Sequence, residues 1–274
     1  MSKPRGADLG TLGLLAVMHG LLVVNVAVYV TAPVALPVHM FVSALAVHLA
    51  FTVWHEAAHL NVSSQKWVNH LVGVLGMIPY MTPYFIQRWV HLRHHSRLNE
   101  PDDPNLIYAT GSFRTILFRY PRAVAYGREV MRNDPRSRPE QLADICWVVT
   151  LVSIYASAWW FGYLFDIVML WLIPAVAAKL VMDWYINYIP HVGLPPHRYL
   201  GTRIFDVAWL TPLVLGHNYH AIHHLWPDVP WHRYRSVFVE KLDYLVSHGV
   251  PIETRVRGVL ANAQSAPDSS PSAG

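Results

Sequence analysis

Residues 9–59 read LGTLGLLAVMHGLLVVNVAVYVTAPVALPVHMFVSALAVHLAFTVWHEAAH. From Leu9 to His55 the chain carries no Asp, Glu, Lys or Arg. One bilayer crossing takes about 20 apolar residues, so this stretch is long enough for two membrane helices. Pro33 and Pro37 bracket Val34, Ala35 and Leu36 and mark the turn between them, because proline lacks the amide hydrogen that a helix interior needs. Lys3 and Arg5 precede the run as basic residues precede a secretory signal. The run is longer than a signal core and no small-residue cleavage site leads into a soluble domain, so the first crossing is expected to stay.

A second apolar region, from Ile145 to Ile186, is interrupted only by Asp166, Lys179 and Asp183. It predicts two more helices, near 143–163 and 166–187. Orientation follows from basic residues, which stay on the cytoplasmic side. Residues 88–144 hold ten Arg, whereas the connections near 33–37 and 163–166 hold no Lys or Arg. The N-terminus, the middle segment and the C-terminal part are therefore expected to face the cytoplasm, from a cell inner membrane. The apolar stretch Trp67–Trp89 contains Pro79 and Pro83 and reads as an interfacial or re-entrant segment rather than a fifth crossing. Composition agrees. The 274 residues are 53% hydrophobic and 14% charged, with 11 Trp and 14 Tyr, where soluble domains carry about 25% charged residues. A net charge of +4 and the absence of a basic–aromatic motif argue against a nucleic-acid binder, and the single cysteine, Cys146, excludes an internal disulfide framework and any thiolate-based zinc or iron–sulfur site. The expectation is an all-α integral membrane protein, with four transmembrane helices in two hairpins and a cytoplasmic histidine-rich cap. Residues 1–260 form one domain and residues 261–274 a disordered Ser/Pro/Ala-rich tail.

Histidine is the unusual residue, with 17 copies that are mostly clustered. The clusters are His55-Glu-Ala-Ala-His59, His91-Leu-Arg-His94-His95, Asn187-Tyr-Ile-Pro-His191 and His217-Asn-Tyr-His220-Ala-Ile-His223-His224. On a helix, positions i, i+3 and i+4 share one face, so each triplet can present two or three imidazoles to one locus. The topology places all four clusters on the same side of the bilayer, which describes a polynuclear metal site. A lone HxxxH is usually fortuitous, and His19, His39, His48, His70, His197, His232 and His248 stand alone. Two HxxHH triplets beside an HxxxH are not fortuitous. Imidazole suits Zn, Cu, Fe and Ni, and nine clustered histidines exceed what one zinc ion needs. His55-Glu56-Ala-Ala-His59 is also a literal HExxH, the zinc-protease pattern with Glu as general base. That reading leaves the other boxes unused.

The boxes resemble those of the membrane fatty acid desaturase and hydroxylase superfamily over roughly residues 50–240. The middle box continues as Ser-Arg-Leu-Asn-Glu100-Pro-Asp102-Asp103-Pro-Asn105, similar to that family's HxxHH with its acidic extension. The resemblance implies two iron ions held by His55, His59, His91, His94, His95, His191, His220, His223 and His224. It implies that Asn187 reaches one iron through water, as a similarly placed Asn does in acyl-CoA desaturases. Glu56, Asp102, Asp103 and Asp228 would orient ligand imidazoles. His217 precedes the last box and lies outside its ligand positions. Within the superfamily, Gly216-His-Asn-Tyr-His220-Ala-Ile-His223-His224-Leu-Trp-Pro-Asp-Val-Pro-Trp231 and Tyr188-Ile-Pro-His191 resemble bacterial and cyanobacterial-type β-carotene hydroxylases.

The function so implied is O2-dependent hydroxylation of a membrane-dissolved lipid, foremost the β-ionone ring of β-carotene. The alternative is a fatty acyl desaturase or alkyl-chain hydroxylase. An HExxH zinc protease within the membrane and a non-catalytic metal-binding membrane protein stand further off. No CxxC pair, Gly-rich dinucleotide turn or haem module is evident, so a separate electron donor such as ferredoxin is implied. Arg114, Arg119, Arg122, Arg128, Arg132, Arg136 and Arg138 read first as cytoplasmic residues beside anionic lipid, and otherwise as a docking patch for an acidic donor.

Overall fold

The computed structural model describes residues 6–110 and 136–255. The tail 261–274 and five of the seven arginines just named, Arg114 to Arg132, lie outside the described residues. Contacts divide the chain into two compact units, one containing residues 6–89 and 136–181, the other 90–110 and 182–255.

In the first unit, α1 spans Leu9–Thr31 and α2 Leu36–Ala58; α3 is Lys66–Gly76, α4 begins at Tyr84 and ends at Ser96, and α6 spans Arg138–Trp160. Helix α7 runs from Leu164 to Tyr188 and includes two π-helical stretches, Val168–Leu172 and Asp183–Tyr188. Helices α1, α2, α6 and α7 are each long and apolar enough to cross a membrane. These are the four crossings that the sequence predicts. Their outer faces are apolar too, with Val23, Val30, Val152 and Trp160 exposed, as expected where lipid rather than water is the solvent.

Local chemistry sets the helix ends. Asp8 caps α1 by accepting from the Thr11 amide at 3.0 Å. Pro37 sits in the first turn of α2, where its missing N–H costs nothing. Helix α6 starts five residues before the expected boundary because Ser137 and Glu140 form a reciprocal capping box. It ends at Gly162, whose φ of 83° is a left-handed conformation that glycine adopts without strain.

Inside this unit, α1 meets α2 through Met18, Ala46 and Ala50. Small residues let membrane helices approach closely, and polar groups then bond across the gap. Asn25 does so, donating to the His39 carbonyl and the Ser43 hydroxyl at 3.0 Å each, while its Oδ1 lies 2.8 Å from His39 Nδ1. This gives His39 a structural role, as its isolation in sequence suggests. Helix α3 has 11 residues, about 16 Å at 1.5 Å per residue, too short to span; the Trp67–Trp89 stretch is thus no fifth crossing. Asp144 of α6 accepts from the amides of Phe85 at 3.1 Å and Ile86 at 2.8 Å and also pairs with Arg136. A carboxylate at a helix N-terminus satisfies orphan donors and opposes the helix dipole. It fixes the start of α4, whose later turns carry the second histidine box.

The second unit contains the end of α4, α5 (Leu106–Ala109), the end of α7, α8 (Leu210–Leu213), α9 (His220–Leu225), α10 (Tyr234–Glu240) and α11 (Leu242–Ser247). Its core joins Ile204, Tyr219, Ile222, Tyr234, Val237, Phe238 and Leu245. A two-residue parallel bridge, Ile204–Phe205 with Ile252–Glu253, ties the C-terminal segment to this core.

Candidate metal centre

Helix α4 projects His91, His94 and His95, and α9 projects His220, His223 and His224. Helix α9 is entered through Gly216, with φ of 78°, and a 3-10 turn over His217–Tyr219. A Cβ at Gly216 would lie 2.9 Å from the Trp231 carbonyl oxygen, so the close approach itself requires glycine. Asn218 then donates to the Phe205 carbonyl at 2.9 Å and Tyr219 to Asp206 at 3.2 Å, which sets the helix on the core.

Each HxxHH triplet is divided between two loci. The ligand nitrogens of His94, His191, His220 and His224 lie within 4.8 Å of one another. Within that group, the Nε2 atoms of His191 and His220 are 2.9 Å apart, and those of His220 and His224 are 3.1 Å apart. The remaining members of the two triplets form a second set. Nε2 of His95 lies 3.1 Å from that of His91 and 2.7 Å from that of His223. One ring nitrogen carries at most one proton, so neither His220 nor His95 can donate to both neighbours. Two nitrogens bound to one ion at about 2.1 Å and roughly 90° apart stand about 3.0 Å from each other. The spacing fits cis ligands of a cation.

Buried hydrogen bonds set the tautomers. Asp103, 3% exposed, takes Nδ1 of His94 at 2.9 Å to each oxygen and accepts from the amides of Asn99 and Asn105, each at 2.8 Å. With Nδ1–H donating, the lone pair of His94 is at Nε2, a buried atom without a hydrogen-bond partner among the described residues. Such an orphaned acceptor among other imidazoles is what a bound cation would satisfy. Tyr234, fully buried, places its hydroxyl 3.1 Å from His223 Nδ1. His191, His220 and His224 have pKa values well below the usual 6.5, first because burial disfavours the cation and then because the neighbouring imidazoles oppose further charge. They are neutral at pH 7, the form that binds metal.

This predicts an acid sensitivity. The folded pKa values are depressed, so below about 6.5 the unfolded chain takes up protons that the folded one refuses, and stability falls with pH. Metal-free protein should melt several degrees lower at about pH 5.5 than at about pH 7.5, and metal-loaded protein should shift at least as much, because a ligated imidazole cannot take up the proton that the unfolded chain does. A metal-free melting temperature independent of pH across that window would contradict it.

The other expected site residues are placed as follows. His55 and His59, in the first unit, have ring centroids 5.2 Å apart. Glu56 is fully buried, accepts from Asn61 at 3.1 Å and lies 3.5 Å from His55 Nδ1. Asn187 has both ends of its amide engaged, donating to Asp183 at 2.9 Å and accepting from Asn105 at 3.3 Å. Asp102 faces outward. It is about half exposed and pairs with Arg93 at 2.8 Å and Arg97 at 3.5 Å, because the adjacent Asp103 takes the inward position of the turn. Asp228 lies half-buried in the turn after α9. His217 is buried, with its ring 5.9 Å from that of Tyr234. Tyr234, Asn99, Asn105 and Asp183 carry no motif of their own and were not legible as site residues. Only for Asn99 and Asn105 did the acidic extension of the middle box offer a signal.

A family model described as fatty acid desaturase matches residues 12–255. The chain is 24% identical over 217 residues to the chloroplastic omega-6 fatty acid desaturase of Brassica napus, covering 68% of this chain and 49% of that one. It is 22% identical over 203 residues to a ferredoxin-type sn-1 acyl-lipid omega-3 desaturase of Nostoc, covering 67% and 48%. A shorter match, 36% over 55 residues, is to an sn-1 oleoyl-lipid 12-desaturase of Picosynechococcus, covering 20% and 16%. The chain spans about half the length of the curated relatives that it matches over most of its own.

Proposed function

We propose a function from the premise that this chain belongs to the fatty acid desaturase family: it is a multi-pass membrane oxidoreductase that desaturates an acyl chain of a membrane lipid, using O2. The observation that carries this reading is the pairing of family membership with the four-histidine convergence of His94, His191, His220 and His224. The relatives named above are all acyl-lipid or fatty acid desaturases. They favour the acyl chain, the alternative in the sequence reading, over the carotenoid ring that it placed first.

The family is iron-dependent, and two irons held by His55, His59, His91, His94, His95, His191, His220, His223 and His224 belong to the proposal, with Asn187 acting through water. The metal would supply the oxidising power for breaking unactivated C–H bonds with O2. The protein's part is positional. Neutral imidazoles bind without adding negative charge, Asp103 holds the proton of His94 on Nδ1, and the Tyr234 hydroxyl holds the His223 ring. Burial of the site keeps water from competing with the lipid. Forming one double bond removes two hydrogens from the chain, and O2, two electrons and two protons complete the balance as two waters. The electrons come from a separate donor, for which we propose a ferredoxin, as the name of the Nostoc relative suggests for that protein. The histidines are proposed to face the cytoplasm from a cell inner membrane, on the arginine-rich side.

The test is expression in a bacterial host that supplies ferredoxin, oleoyl lipids and β-carotene, beside a His94→Ala control. Acyl chains that lack two further hydrogens, absent in the control, are expected by mass spectrometry. β-Carotene gaining one oxygen per ring, with unchanged acyl chains, would replace the desaturase reading by the ring-hydroxylase one.

A further inference from the structure

Two buried side chains outside the ligand set link the supports of two ligands. Asn99 has φ of 57°, a left-handed conformation that Asn tolerates better than most residues. Its backbone N–H donates to Asp103 Oδ2 at 2.8 Å, the carboxylate that holds His94. Its side-chain Nδ2 faces the carbonyls of Gly201 at 2.8 Å and of Leu194 and Pro195 at 3.3 Å each. Gly201 is seated so closely there that a Cβ would lie 2.6 Å from the His197 carbonyl oxygen and 2.8 Å from Leu98.

Two residues on, the Arg203 backbone N–H donates to the Pro190 carbonyl at 3.1 Å. The buried guanidinium donates through Nη1 to the Ile189 carbonyl at 2.6 Å and through Nη2 to that of Val192 at 2.8 Å. These carbonyls flank His191 just beyond the end of α7. Orphan carbonyls at a helix end need donors, and a planar fork can satisfy two at fixed spacing where an ammonium cannot.

We infer that Asn99 and Arg203 form a clip that sets the spacing of His94 and His191, running from His94 through Asp103, Asn99 and the 194–201 loop to Arg203 and the backbone around His191. Both are positioning residues; neither touches a ligand nitrogen. Their role presupposes metal at the four histidines, as proposed above.

The test titrates Co2+, as an optical probe, into full-length metal-free protein in lipid nanodiscs. Variants are Asn99→Gly, which keeps the left-handed backbone and deletes the amide, Arg203→Gln, and Arg203→Lys, which keeps charge without the fork. Partners of this kind are typically worth about 10–100-fold in metal affinity. Asn99→Gly and Arg203→Gln are each expected to weaken Co2+ binding by about that factor and to alter its visible spectrum. Arg203→Lys should recover only part of the loss. The double variant should be little worse than the poorer single one, because opening the clip once releases it. Wild-type affinity and spectrum in Asn99→Gly would overturn the clip, and Asn99→Gly alone decides the matter if Arg203→Gln does not fold. Failure of the wild-type protein to bind Co2+ would instead overturn the metal reading.

Discussion

His220→Ala is expected to abolish lipid oxidation and to release metal from the four-histidine group. His220 is the hub of that group, with Nε2 at 2.9 Å from that of His191 and 3.1 Å from that of His224. It is almost fully buried, so water cannot readily take the vacated coordination position without rearrangement. A partner outside the ligand set typically costs about 10–100-fold, and a ligand at the hub should cost more than roughly 100-fold in turnover. The effect should be specific to metal. Tyr219 and Ile222, which lie in the core of the same unit, keep α9 seated when the imidazole is removed. The measurements are iron per chain by mass spectrometry and product per chain by gas chromatography. Full turnover with unchanged iron would remove His220 from the metal centre.

Asp103→Ala should be the most damaging change outside the ligands, and it should act on stability as well as on metal. Its carboxylate accepts from His94 Nδ1 and from the amides of Asn99 and Asn105. Removing it strands these donors. Each buried donor left without an acceptor costs about 1–3 kcal/mol, so a loss on the order of 3 kcal/mol or more is expected even without metal. Metal affinity should fall about 10–100-fold in addition, because the His94 tautomer is no longer set. Asp103→Asn should be milder, since its carbonyl oxygen still accepts while its NH2 group meets a donor. Thermal melts of metal-free and loaded protein separate the two effects. If Asp103→Ala melted like the wild-type protein in both states, the carboxylate would have no such role. Asp102→Ala is the contrast: its salt bridges to Arg93 and Arg97 are exposed, and pairs of that kind contribute at most about 1 kcal/mol.

Much of this molecule is readable along the chain because its determinants are local. The Leu9–His55 run without charge requires lipid-embedded helices, and Pro33 and Pro37 bound the turn. Helix periodicity puts HxxHH residues on one side of α4 and of α9. Ligand chemistry then points to metal, since neutral imidazoles in such numbers have no other common use. The substrate was less legible: the Gly216–Trp231 pattern suggested a carotenoid ring, while the relatives matched across most of the chain act on acyl groups by name. Both reactions need the same metal site, so the histidines could not discriminate between them.

What only the tertiary structure decided is how the histidines are shared and what holds them. A triplet at i, i+3 and i+4 fans its side chains over about 100° of a helix surface, wide enough to serve two loci. His94 therefore joins His191, His220 and His224, while His91 and His95 gather with His223. Adjacent carboxylates likewise diverge in the turn after α4, so Asp103 meets an imidazole and Asp102 meets arginines. Asn99 acts across 95 or more residues, Arg203 across 11 to 14 and Tyr234 from the neighbouring helix, through bonds to backbone or to a ring nitrogen. Nothing in residue type or spacing marks such bonds, because their geometry exists only once distant segments are packed together. The chain by itself pointed to membrane helices and a clustered imidazole site; packing determined which imidazoles lie within reach of one ion and which neighbours keep them aimed.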